Sequence, residues 1–67
     1  VKRGSTDAET CHLNGWTVGT VLVGDEGYGP TTIRITAIGD EAILARAGSR
    51  RESTWTLTCR EWEVVAA

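Results

Sequence analysis

The chain has 67 residues, seven Lys or Arg against nine Asp or Glu, and a formal charge of -2. That length makes one domain, and a chain this short buries only about 60% of its extended-chain surface. The charge lacks the strong basic excess of a dedicated nucleic-acid binder, and no apolar run reaches the roughly 18 residues of a membrane span. Phe and Met are absent, so three Trp with Val, Ile and Leu must supply the core.

Residues 1–12 begin with VKRGSTDAET, which is polar, mixed in charge and aperiodic, and they read as a flexible arm. The folded domain is then expected over residues 13–67, with Leu13 the first residue to dock and Asn14-Gly15 a turn. Trp16 to Val23 (WTVGTVLV) is β-prone without a clean polar face, as in a strand that bends at Gly19 between two sheets. Gly24 to Pro30 (GDEGYGP) must be a loop. In it, glycines and a proline frame Asp25, Glu26 and Tyr28.

Thr31 to Arg46 (TTIRITAIGDEAILAR) is a β-hairpin turning at Gly39-Asp40. A two-residue loop would give Gly39 a positive φ and pair Ala37 with Ala42 and Ile35 with Leu44. Ile33, Ile35, Ala37, Ala42 and Leu44 then form the core face. A longer loop would pair Ile38 with Ile43, and this register ranks second. Ala47 to Glu52 forms the next loop, Ser53 to Cys59 the next strand with Trp55, Leu57 and Cys59 on one face, and Arg60-Glu61-Trp62 one 3₁₀ turn. Glu63 to Val65 ends the pattern as a last short strand.

This order, all-β with a short 3₁₀ turn before the last strand, resembles the five-stranded SH3-like small β-barrel over Trp16 to Val65. The fold hosts many functions, so the resemblance implies architecture alone. The segments NGWTVG, GDEGYGP, ITAIG and WTLTCREW resemble small uncharacterised proteins encoded by bacteriophages and prophages. That resemblance implies an accessory or regulatory role and a host-cytoplasmic address. No signal-peptide core precedes the domain, which agrees with a cytoplasmic reading.

Catalytic and metal chemistry find no constellation in the sequence. Cys11, His12 and Cys59 lack zinc-site spacing, and the two cysteines read as reduced thiols, with a bridge as the alternative. Asp25 and Glu26 share one solvated loop, which separates no pKa pair for acid-base work and offers too few oxygens for calcium. The expectation is therefore a non-enzymatic binding module with no cofactor and no metal. A protein partner, met through loops and an edge strand, is the leading reading, with Asp25, Glu26, Tyr28 and Trp62 as its candidate residues. Trp62 also reads as a buried plug. Two alternatives stand beside this: nucleic-acid binding through Arg46, Arg50 and Arg51, and a homo-oligomer paired through an exposed edge.

Overall fold

The computed structural model describes residues 3–25, 29–58 and 61–66. Glu26, Tyr28, Cys59 and Arg60, which carry several of the expectations above, lie outside the described residues.

The first element is a helix, α1, over Asp7–Asn14, where the sequence reading put a flexible arm. Its signals are local. Thr6 is the N-cap, and its hydroxyl accepts from the Glu9 N–H at 3.1 Å. Glu9 reaches back to the Ser5 N–H at 2.6 Å, in the manner of a capping box. Asp7 and Glu9 in the first turn and His12 in the last suit the helix dipole. Asn14-Gly15 is the helix end: Gly15 is left-handed at φ 71°, and the Gly15 and Trp16 N–H groups donate to His12 O and Cys11 O, a Schellman closure. Leu13 remains exposed, so docking falls to Ala8, Thr10 and Cys11, all buried. The buried Thr10 hydroxyl donates to Thr6 O and accepts from the Gly4 N–H.

Five strands follow: β1 Val21–Asp25, β2 Pro30–Ile38, β3 Ile43–Arg46, β4 Ser53–Thr54 and β5 Trp62–Ala66. They form one antiparallel sheet in the order β4-β3-β2-β1-β5. The sheet is open, with β4 and β5 as its edges, so the chain is mostly β and five-stranded without barrel closure. β1 begins later than expected because Trp16 to Thr20 is a turn, with Gly19 at φ 97° and the Thr20 N–H on Thr17 O. β4 keeps only Ser53–Thr54. Beyond it Trp55 and Leu57 still turn inward while Thr54 and Thr56 stay exposed. Trp62 opens β5 instead of sitting in a 3₁₀ turn.

The hairpin takes the longer loop. Ile38 pairs with Ile43 and Ala37 with Leu44, and the Gly39 N–H donates to Ala42 O at 2.9 Å. Gly39 is not among the positive-φ glycines. A bulge between Ile35 and Ala37 then shifts the register, so Ile35 meets Ala45 and Arg34 meets Arg46. That extra residue reverses side-chain parity along β2 and decides the core. Ile33, Ile35, Ile43 and Ala45 are buried and Ile38 packs against them, whereas Ala37 and Leu44 are only half-buried and Ala42 is exposed.

The core cluster joins this face to Cys11, Trp16, Leu22, Leu57 and Trp62. Trp55 meets Trp62 edge to face at 6.2 Å between ring centroids. Trp62 lies across Gly24, where a Cβ would stand 2.8 Å from its ring. Helix α1 is tied to both ends of this core: Asp7 Oδ1 accepts from the Leu57 N–H at 2.8 Å, and the Ala8 N–H donates to Glu41 O at 2.9 Å.

Candidate interaction face

With α1 and the Trp55 to Leu57 segment on one side of the sheet, the residues of opposite parity make up its other side. In the β1–β2 register Val21 stands opposite Arg34 and Val23 opposite Thr32; in the β2–β3 register Arg34 stands opposite Arg46. Val21, Arg34 and Arg46 therefore form one row across three strands. They line a groove of about 370 Å³ together with Thr32, Thr36 and Gly48.

The two guanidinium groups are exposed neighbours of like charge, an arrangement that costs stability when the residues are directly opposite. Among the described residues, neither has a carboxylate partner, and the ion pair found there is Arg3 with Glu61 at 3.0 Å. Glu52 accepts from the Thr36 hydroxyl beside the groove.

The two-residue register would continue the core face from Leu44 to Arg46 and bring it out at the rim near Arg50 and Arg51; the longer loop with the bulge puts it on the open face instead. Arg50 and Arg51 are exposed in the loop between β3 and β4, where the Arg50 N–H donates to Ala47 O. The residue missed was Arg34. Its alternation with Ile33 and Ile35 was readable, but its pairing with Arg46 depends on the register shift.

The other end of the open face is acidic. Asp25, Glu61 and Glu63 line a hollow of about 240 Å³ with Val23, Gly24 and Pro30. Glu63 stands opposite Val23 on β1. Asp25 thus belongs to an acidic corner formed with β5, a grouping invisible to a reading that kept it inside its own loop.

Trp62 is 0% exposed, which places it as a plug and removes it as a surface hot spot. The apolar exposure of β5 comes instead from Val64 and Val65, 49% and 57% exposed. Cys11 is a free, buried thiol, and burial, with the nearby Asp7 carboxylate adding to it, pushes its pKa up to about 11. Among the described residues no three His, Cys, Asp or Glu are placed to hold a metal ion together, and no helix is long and apolar enough to cross a membrane.

The model of one protein family matches residues 5–67, from the residue before the N-cap of α1 through β5. The chain belongs to the DUF7241 family. It is described as a domain of unknown function, and the match takes α1 into the domain along with the sheet. Neither the curated proteins nor the solved structures give a match to the chain.

Proposed function

We propose that this DUF7241 domain is a non-enzymatic binding module that takes a protein partner by strand addition along β5. The supporting observation is the edge itself. Among the described residues Trp62–Ala66 pairs with β1 on one side only; it carries no Pro or Lys and exposes Val64 and Val65. Native edges are ordinarily guarded by such residues or by bulges; the bulge at Val65 leaves Trp62 to Val64 as the regular stretch on which an extended segment can add through backbone hydrogen bonds and alternate side chains. β4, only two residues long, offers no comparable template. The likeness to SH3-like small barrels, and the phage setting with its host-cytoplasmic address, belong to the same proposal; the five-strand order and the short segments quoted above support them.

A second reading, nucleic-acid binding, is favoured by Arg34 and Arg46 facing each other beside the Arg50-Arg51 loop. One experiment separates the two. Peptides are selected by display on the immobilised domain, and these peptides and short oligonucleotides are titrated into labelled protein while backbone amides are followed. The strand-addition reading expects peptide-induced shifts on Trp62 to Val64, with affinity lowered about tenfold in Val64→Asn/Val65→Asn through the lost apolar contact. Oligonucleotide shifts on Arg34, Arg46, Arg50 and Arg51 that fade with salt, with no peptide footprint on β5, would replace it by the second reading.

A further inference from the structure

The open face carries its charges in two separated groups. Arg34 and Arg46 lie on β2 and β3, with the Glu52 carboxylate bonded to Thr36 at their margin, whereas Glu63 and Asp25 lie on the β5 side with Glu61, itself paired to Arg3, and the strip of Val21, Val23 and Thr32 runs between them. Such a face is its own complement. A two-fold axis lying in the interface along the strip sets the basic corner of each copy over the acidic corner of the other, since a two-fold interface brings the same patch from both partners together. The strands of the two sheets are then aligned, as in face-to-face packing of sheets.

We infer that the open sheet face binds a second copy of this chain, Arg34 and Arg46 of each copy meeting Glu63 and its acidic neighbours on the other. The like-charged neighbours Arg34 and Arg46, without a carboxylate partner among the described residues, gain their counter-charge in the pair. Glu63 likewise has no ion pair among the described residues. Val21 and Val23, half-buried in the single copy, lose their remaining exposure. The molecule measures 26 by 22 by 19 Å along its principal axes. One face of it falls short of the roughly 800 Å² per partner of a standard interface, so the dimer is weak and salt-sensitive. It uses the face of the sheet and leaves the β5 edge open.

Sedimentation of the full chain over a concentration series tests this. The wild type is expected to dimerise reversibly, with association weakened about tenfold between about 20 mM and about 500 mM salt. Arg34→Glu/Arg46→Glu reverses the charge of the basic corner, and Glu61→Arg/Glu63→Arg reverses that of the acidic corner except at Asp25. Each variant alone is expected to be monomeric, with amide spectra confirming that it folds, and their equimolar mixture is expected to form a heterodimer. A wild type that stays monomeric at low salt and high concentration overturns the inference, as does a mixture of folded variants that fails to pair. Val64→Asn, at the position paired with the core residue Leu22 and off the open face, separates this dimer from strand addition. It leaves the face dimer intact, and a dimer lost in this variant but kept in the charge-reversed ones would belong to the edge.

Discussion

Cys11 shows how one side chain reports on the packing of α1. Its thiol is enclosed by the core cluster, and ionising it there costs the solvation of the thiolate while the Asp7 carboxylate repels the new charge. The folded state therefore holds the proton more tightly than the unfolded state, from the ordinary value of 9.0 up to about 11. Stability from this site is fully present below pH 9.0 and is lost as pH rises toward about 11, because the unfolded chain releases the proton first. The slope is about 1.4 kcal/mol per pH unit within that window. Urea denaturation of wild type and Cys11→Ala at pH 8 and at pH 10.5 isolates the site from other groups titrating there. The wild type is expected to lose about 2 kcal/mol more than the variant between the two pH values. Equal losses would mean that the thiol is not held in the core.

At the scale of elements, α1 is held less by its own eight residues than by what its ends touch, since a helix this short is marginal alone. The bond from the Leu57 N–H to Asp7 Oδ1 joins the first turn of the helix to the segment carrying the core residue Leu57. Asp7→Ala removes a charged acceptor from a part-buried N–H and an acid from the helix start. The expected loss is about 2 kcal/mol in urea denaturation, with Asp7→Asn losing less because its amide oxygen still accepts. Hydrogen exchange at the Leu57 amide should accelerate in Asp7→Ala; unchanged protection there would show that the bond does not hold the segment. The elements differ in how far sequence shows them. The number of strands and their succession along the chain were legible because GDEGYGP, Gly39-Asp40 and Ala47 to Glu52 carry turn chemistry, although Gly24, Asp25 and Pro30 themselves pair within β1 and β2. Helix α1 was also legible, in Thr6-Asp7-Ala8-Glu9 followed by Asn14-Gly15, but its weak apolar pattern hid it behind a turn reading. The bulge at Thr36 was not legible. In ITAIGDEAIL both parities carry Ile, so apolar alternation could not choose between the registers, and only the fit of Ile43 and Ala45 against the common core decides.

For the whole molecule, the decisive question is whether residues 1–12 belong to the cooperative unit. Ala8, Thr10 and Cys11 are buried, and Trp16 donates to Cys11 O, so removing the helix opens the same core that holds Leu22, Ile33 and Trp62. A 67-residue domain has a total stability of only about 3 to 10 kcal/mol at the usual value per residue. Uncovering even two large core side chains costs about 3 to 6 kcal/mol, and loss of the Asp7 and Ala8 tethers to Leu57 and Glu41 adds to it. A chain beginning at Leu13 is therefore expected to lose cooperative unfolding and the dispersed amide spectrum of the intact protein. A freely moving arm would have the opposite signature, with truncation leaving the spectrum of residues 16–66 and the denaturation midpoint unchanged. Because the strand-addition edge and the charged face are both built on this sheet, the truncated chain should also fail to bind selected peptides and to dimerise. Retention of either property by a folded truncated chain would show that the sheet holds its form without α1.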